Sequence, residues 1–202
     1  MEAQSCPTSG LRDLTRRTVA AQIAERAKQL FIEQGFEETT LEHIAAAVGI
    51  SSRSVSRYFK TKEDIVVGSM IALGDEVAAA LRERPLDEAP WTALRRALDV
   101  SVNSITNDSA GLRAARMRTD TPALRAAVQE KHRAWTVLLV PDLVERLGQD
   151  IHDGEDAVRI GAEAMVVSAL ACLDVAVEAW ARTGNDLPLG FYLDTTFNAL
   201  RS

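Results

Sequence analysis

Hydrophobic residues recur every three or four positions through most of the chain, the spacing expected of amphipathic helices. One stripe predicts a first helix from about Thr15 to Gln34, and its members are Val19, Ile23, Ala27, Leu30 and Phe31. Gly35 then ends this helix, as a left-handed residue often does. Abundant alanine and leucine, with only 6 prolines, favour helices elsewhere too. We therefore predict an all-α fold of about nine helices.

Residues 40–59 have the pattern of two short helices joined by a tight turn. The first begins at Thr40, a good N-cap, although Thr39 and Glu42 offer an alternative capping box one residue earlier. Its inward positions are Leu41, Ile44, Ala45 and Val48. Gly49 is expected to break the helix, and Ile50 to fill the turn. This is the order of elements in a helix-turn-helix motif.

The second short helix is predicted from Ser52 to Tyr58, with Ser51 as its cap. Val55 and Phe59 point to the core. The outer face keeps Ser52, Arg53, Ser56 and Arg57. Small hydroxyls and arginines suit a DNA major groove, where arginine can bond guanine edges through two hydrogen bonds. The alternative is an ordinary solvated face on a small helical domain.

The stretch FIEQGFEETTLEHIAAAVGISSRSVSRYFKTKEDIV resembles the DNA-binding domain of the TetR/AcrR family of transcriptional regulators. The resemblance covers about residues 17–77. Beyond them the chain is similar only in length and helical character. The matching features are Phe31, Gly35, Thr39–Thr40, Ile44–Ala45, Gly49–Ile50–Ser51, Tyr58–Phe59 and Lys62–Glu63.

The resemblance implies particular DNA contacts. Thr40, Tyr58 and Lys62 match backbone-contacting positions, and Ser52, Arg53 and Ser56 match positions that meet bases. Ser56 departs from the family, which often has an aromatic residue there, so Arg53 and Arg57 are expected to share its work. Arg17 follows the N-terminal arm and either touches phosphates or is solvated. The full candidate set is Arg17, Thr40, Ser51, Ser52, Arg53, Ser56, Arg57, Tyr58 and Lys62.

Three regions follow: a flexible arm over 1–14, a DNA-binding domain over 15–77 and a helical effector-binding and dimerisation domain over 78–202. A long fourth helix, capped by Thr61 and Asp64, should run to about Arg84. In the family the corresponding helix links the two domains.

The C-terminal region predicts five further helices. A fifth begins at Trp91 and continues through Ile105, and Asn107–Ser109 with Gly111 break it. An arginine-rich segment over 112–118 is interpreted as a solvated face, with anion binding as the alternative. A seventh runs from Thr121 to about Gly148, with Pro141 expected to kink or interrupt it. Asp153 and Gly154 precede an eighth over 155–182, which Gly184-Asn185 ends, and Pro188 opens a ninth.

The effector pocket is expected among the fourth to seventh helices. Its candidate residues are Met70, Trp91, Met117, His132 and Trp135. Such a lining favours a hydrophobic or aromatic effector. The alternative is that these side chains belong to the core, which is the commoner place for tryptophan and methionine at helical spacing.

The eighth helix is apolar on nearly every side, so it must be covered on both faces. In the TetR/AcrR family the last two helices pair with their copies in a second subunit. The candidate dimer residues are Val167, Leu170, Val177, Leu193 and Phe197. Cys172, in the same helix, is interpreted as a small buried hydrophobe, and Asp174 as an ordinary helix residue.

Charge and composition narrow the class of protein. The net charge is −6, yet residues 1–65 are balanced and the rest carries the whole excess. A neutral N-terminal part with local basic points can still meet DNA. Two cysteines, Cys6 and Cys172, give neither a disulfide scaffold nor a metal pattern. The longest uncharged apolar run, residues 164–173, is too short for a membrane span. We expect a cytoplasmic protein without metal, cofactor or membrane.

Three functions remain open. The first is a dimeric regulator, a repressor, that binds a palindromic operator in double-stranded DNA and is released by a small effector. The second is an enzyme on a helical scaffold, for which no catalytic set of residues or phosphate loop is seen. The third is a helical dimeric module that binds protein partners without binding DNA.

Overall fold

The computed structural model describes residues 8–106, 110–148, 154–184 and 186–201. These residues form ten α-helices and no strands, which confirms the all-α prediction. The helices are α1 (Thr8–Gln34), α2 (Leu41–Val48), α3 (Ser52–Ser56), α4 (Lys62–Arg82), α5 (Pro90–Ala97), α6 (Asp99–Thr106), α7 (Gly111–Asp120), α8 (Pro122–Leu147), α9 (Glu155–Thr183) and α10 (Leu189–Ala199).

The chain divides into two compact units after Ser69, eight residues before the predicted boundary at Val77. The first unit holds α1 to α3 and the start of α4. Its core is made by apolar side chains from all four, including Ile23, Phe31, Ile44, Val55 and Ile65. Helix α1 begins at Thr8, so the predicted arm over 1–14 is helical from that residue, whereas Cys6 lies outside the described residues.

The second unit is built around α9, which packs against α5, α7, α8 and α10. One side of α9 is fully buried. Its members include Ala162, Val166, Ala169, Leu170, Leu173, Ala176 and Trp180. Cys172 is buried among them, as predicted for a small hydrophobe. Trp135, Leu139 and Leu143 of α8 complete this core.

Two helix predictions were wrong. The predicted fifth helix is two helices, α5 and α6. The ψ angle of Leu98 is −7°, far from the usual α-helical value, and α5 ends there. The apolar stripe runs on through this point, so periodicity could not detect it. Conversely, α8 continues through Pro141 without interruption. Buried Leu139 and Leu143 anchor the helix on both sides of the proline. Asn107–Ser109, Asp153 and Asn185 lie outside the described residues.

Among the described residues, one helix is long and apolar enough to cross a bilayer by length and composition alone. This is α9, and 39% of its most apolar stretch is buried inside the protein. Core helices of soluble proteins have the same composition. The inward side of α9 is accounted for by the core of the second unit, and its outward side stays apolar: Ile160, Val167 and Val175 are each more than half exposed, at 66%, 51% and 56%.

Candidate functional site

Capping side chains fix the two short helices of the first unit. The Thr40 hydroxyl accepts a hydrogen bond from the His43 backbone N–H at 3.2 Å, so Thr40 is the N-cap of α2, as predicted. Gly49 adopts φ +79°, a left-handed conformation in which its N–H reaches the carbonyls of the last turn of α2. Ser51 then caps α3 by accepting from the Ser54 N–H at 3.1 Å. Together these bonds set the turn between α2 and α3.

Thr39 does not form the alternative capping box. Its side chain is buried, and its hydroxyl donates to the Gly35 carbonyl at 2.7 Å and accepts from the Gln34 amide at 3.0 Å. The Gln34 amide also lies 3.3 Å from Nδ1 of His43. This network ties the end of α1 to the start of α2, a role that spacing in the sequence did not reveal.

The outer face of α3 presents two exposed arginines, Arg53 and Arg57. Within the described part of the chain, neither guanidinium makes a hydrogen bond or an ion pair. Ser52 and Ser56 are partly buried, and the Ser56 hydroxyl donates to the Ser52 carbonyl at 2.9 Å. α3 ends at Ser56, two residues earlier than predicted. The face therefore keeps two available positive charges on a short, polar helix.

The remaining residues predicted to contact DNA differ in their solvent exposure. Tyr58 is partly buried just after α3, and Arg17 is exposed on α1. Thr40 and Ser51 spend their hydroxyls on helix caps, but both residues are exposed. An exposed cap can still lie near a phosphate, since the N-terminus of a helix attracts anions.

Lys62 directs its side chain towards the loop between α1 and α2. Its ammonium donates to the carbonyls of Phe36 at 2.7 Å and Glu37 at 3.1 Å, and it lies 4.4 Å from the centre of the Phe36 ring. The Glu37 carboxylate is 3.6 Å away. With these partners Lys62 holds the loop between α1 and α2. A phosphate contact at this end of α4 stays a prediction.

Only some of the predicted effector residues come together in the second unit. The Trp135 indole donates to the Met70 carbonyl at 2.9 Å and packs closely against Gly74, where an added Cβ would be 2.5 Å from the indole nitrogen. Trp91 lies elsewhere: its ring is 4.4 Å from that of Phe197, and it lines a groove of about 540 Å³ with Met165. The two tryptophans therefore have different neighbours, and a single pocket containing both stays a prediction.

Charged side chains of α7, α8 and α9 form a cluster that sequence reasoning missed. The Asp174 carboxylate lies 3.2 Å from Nζ of Lys131 and 2.8 Å from Nε2 of His132. The Lys131 side chain is only 8% exposed, and its ammonium lies 5.2 Å from the centre of the Trp135 ring. Arg118 is partly buried on α7, and its positive charge acts on both Asp174 and Lys131. We call Arg118, Lys131, His132 and Asp174 the cation-rich cluster.

This cluster corrects two interpretations. The arginines of α7 are not all solvated, because Arg118 is partly buried and Arg116 donates to the Ala181 carbonyl at 2.9 Å. Asp174 is no ordinary helix residue. A signal was present in principle: Lys131 and His132 are adjacent titratable residues one turn from Trp135. Their carboxylate partner lies 42 or more positions along the chain, so periodicity could not supply it.

The pKa values of the cluster reflect burial and mutual charge. Burial lowers the pKa of Lys131; the charge of Asp174 opposes this, and that of Arg118 adds to it. Burial likewise lowers the pKa of Arg118, partly offset by Asp174. Burial alone would raise the pKa of Asp174, but its contacts with His132 and Lys131 outweigh burial and hold that pKa below its usual value. The carboxylate is therefore ionised and already paired.

The predicted dimer residues mostly belong to the core of the second unit. Leu170, Leu193 and Phe197 are buried, and Val177 is partly buried against the same core. Side chains enclosed in this way cannot offer their surface to a second subunit. Val167 is the exception. It lies on an outward stripe of α9, whose members are Ile160, Ala164, Val167, Ala171 and Val175. We call these residues the α9 stripe.

Comparison with protein families agrees with this division of the chain. Residues 23–67 match the family described as bacterial regulatory proteins, tetR family, and residues 88–202 match the MftR C-terminal domain. The regulator TcmR of Streptomyces glaucescens is 30% identical over 151 residues, which cover 71% of this chain and 67% of that protein.

Two further comparisons are weaker. A transcriptional repressor of Mycobacterium tuberculosis is 36% identical over 84 residues, which cover 42% of this chain and 43% of that protein. The fold resembles that of the regulator FadR from Bacillus subtilis, solved with stearoyl-CoA, at a TM-score of 0.62 and 20% identity, covering 90% of this chain and 97% of that one. At this identity the likeness concerns the fold alone.

Proposed function

Because this chain belongs to the TetR family of bacterial transcriptional regulators, we propose that it is a repressor that binds a palindromic operator as a dimer. A small, largely apolar effector in the second unit would release it. The family consists of regulators, so the chain is a DNA-binding regulator and not an enzyme. We place it in the cytoplasm, where the operator is.

The exposed face of α3 carries the proposal for DNA. Arg53 lies on α3 and Arg57 directly follows this helix, whose start is fixed by Ser51 and whose inner side is anchored by buried Val55. A rigid helix with unpaired arginines can place them on base edges without first breaking other bonds. Arginine bonding to guanine O6 and N7 is the commonest specific contact in the major groove. We propose that Arg53 contacts the base edges and that Arg57 contacts the phosphate backbone.

The α9 stripe supports the dimer. Its residues follow the i, i+3/i+4 spacing of one helical face and are all exposed in the single chain. An apolar surface of this kind on a soluble protein indicates an interaction site. Phe191 of α10 adds a half-exposed aromatic side chain. A second copy that covers this face would supply a second α3 helix, and a palindromic operator offers two half-sites about 34 Å apart along the DNA.

The proposed release acts through α4. This helix runs from the first unit into the second, where the Met70 carbonyl accepts from the Trp135 indole. An effector that shifts α8 would pull on this bond and change the direction of α4. The spacing of the two α3 helices would then no longer fit the operator. By linkage, effector and DNA must weaken each other's binding by the same factor.

Substitution of Arg53 by alanine tests the DNA contact. Loss of a two-bond contact to guanine should cost about 1–3 kcal/mol of operator affinity and relax specificity at one base position. The measurement is fluorescence anisotropy with a labelled operator at fixed salt, and the thermal unfolding temperature should not change. Arg113→Ala is the matched control, since Arg113 is exposed on α7 in the second unit. Equal loss in both variants would contradict the assignment.

A further inference from the structure

The cation-rich cluster has more positive charge than its single carboxylate can balance. Arg118 and Lys131 each carry one positive charge, and Asp174 carries the only negative one in the cluster. The positive charges of Arg118 and Lys131 therefore exceed the negative charge of Asp174 by one. Lys131 is only 7% exposed, so solvent screens this excess positive charge poorly.

Asp174 is already paired with two other side chains. Its two oxygens already face Lys131 at 3.2 Å and His132 at 2.8 Å. Within the described residues, the Arg118 guanidinium makes no hydrogen bond and no ion pair within 4.0 Å. It therefore brings five N–H donors into a partly buried position without an acceptor.

A partly buried cation without a partner loses some of its hydration and gains no ion pair in return, because removal of a charge from water is repaid only by a well-placed partner. Such arrangements are typical of binding sites, where the ligand supplies the missing charge. The planar fork of a guanidinium fits a carboxylate through two parallel bonds. The Trp135 ring beside Lys131 provides an apolar surface next to the charges.

We propose that the cation-rich cluster binds the carboxylate group of the effector, with Arg118 as its principal partner and Lys131 as the second charge. This inference rests on the proposed function and names the effector class: an apolar molecule with one carboxylate. A single left-over positive charge matches a monoanion. A doubly charged phosphate would leave an uncompensated negative charge in the same place.

The alternative is a purely structural role, in which Arg118 stabilises the fold by its attraction to Asp174. The two roles have opposite consequences for the protein without effector. If Arg118 balances Asp174, the substitution Arg118→Gln should lower the unfolding temperature. If Arg118 instead binds the effector's carboxylate, it has no partner in the free protein. The same substitution then removes an unpaired charge and should leave the unfolding temperature unchanged or raise it. Residues kept for binding often oppose stability in this way.

Thermal unfolding of the full chain with matched acid and amide probes tests the proposal. The probes are benzoate, 2-naphthoate, octanoate and decanoate, each compared with its neutral amide at equal concentration. We expect at least one acid to raise the unfolding temperature and its amide to fail. Arg118→Gln should weaken binding of that acid about tenfold or more, as loss of a buried charge partner does.

Arg113→Gln is the matched control, because Arg113 is exposed on the same helix. It should bind the acid as the unaltered chain does. The proposal is overturned if acids and amides act alike, if no acid stabilises the protein, or if Arg118→Gln keeps full affinity. It is also overturned if Arg118→Gln without any probe unfolds at a clearly lower temperature than Arg113→Gln.

Operator binding separates this inference from the proposed function. If the chain binds its operator and no acid acts, only the effector class fails. If the chain binds an acid through Arg118 but no operator, the DNA-binding proposal fails and the anion site stands. If both are bound, adding the acid should reduce operator affinity in the unaltered chain and leave it unchanged in Arg118→Gln.

Discussion

Arg146 holds the end of α4 from inside the second unit. Its guanidinium donates to the carbonyls of Leu81 and Pro85, both at 2.6 Å, and to that of Arg84 at 2.8 Å, and the residue is 3% exposed. The last carbonyls of a helix have no partner within the helix. A buried cation therefore supplies both the missing donors and a favourable charge at the negative end of α4.

Replacing Arg146 by methionine should lower the free energy of unfolding by about 3 kcal/mol, because buried carbonyls lose their donors. All three tryptophans lie in the second unit, so their fluorescence in a urea titration reports on that unit. Arg133→Met is the control on the same helix, since the Arg133 side chain is 76% exposed in its pair with Glu130. We expect a change below about 0.5 kcal/mol there. Similar losses in both variants would refute the role of Arg146.

Single residues differ in how far the sequence reveals them. Thr40 and Ser51 were predictable because a cap acts on a backbone group three residues away. Lys62 and Asp174 were not, because their partners lie far along the chain: Phe36 is 26 positions from Lys62, and Lys131 is 43 positions from Asp174. A lysine in a motif looks the same whether it faces a phosphate or a carbonyl of its own chain.

At the scale of whole helices, α9 separates what a pattern can and cannot predict. Its apolar composition predicted that both sides must be covered, and the core of the second unit covers one of them. It did not indicate which residues face the core, because a helix apolar on all sides has no phase. Leu170 was therefore assigned to the dimer but lies in the core, and Val175 was omitted but lies on the surface. The break between α5 and α6 at Leu98 was not predicted for a similar reason, because the apolar stripe of these helices continues through it.

The α9 stripe makes a prediction about assembly. The double substitution Val167→Glu with Val175→Glu would place two charges on the face assigned to the second copy. Burying each valine is worth about 1.5–3 kcal/mol, and a buried unpaired carboxylate costs more than that. We expect a dimer for the unaltered chain and a folded monomer for the variant, measured by light scattering after size exclusion.

Val137→Glu is the control for that experiment. Val137 is a valine on α8, 75% exposed and outside the α9 stripe. This variant should remain a dimer. If it dissociates while the double variant stays dimeric, the interface lies on another face. A monomeric unaltered chain would remove the basis for reading a palindrome.

The two units also differ in how much of their function the sequence reveals. The first has a dense local pattern in which caps, turn glycine and apolar positions lie within about twenty residues, the usual span of a helix-turn-helix. Its family could therefore be predicted, whereas its DNA face stays a prediction. The second joins α7, α8 and α9 through side chains far apart in the chain, so its cation-rich cluster became visible only in three dimensions.

The most direct test of DNA reading is selection from a random library of double-stranded DNA with the purified full chain, at a fixed salt concentration. Fixed salt is needed because contacts to phosphates weaken steeply as salt rises. We expect enrichment of one palindrome whose half-sites are one helical turn apart. Arg53→Ala should enrich the same palindrome with one base position relaxed in each half. A folded dimer that enriches no sequence at all would contradict sequence-specific DNA reading by this chain.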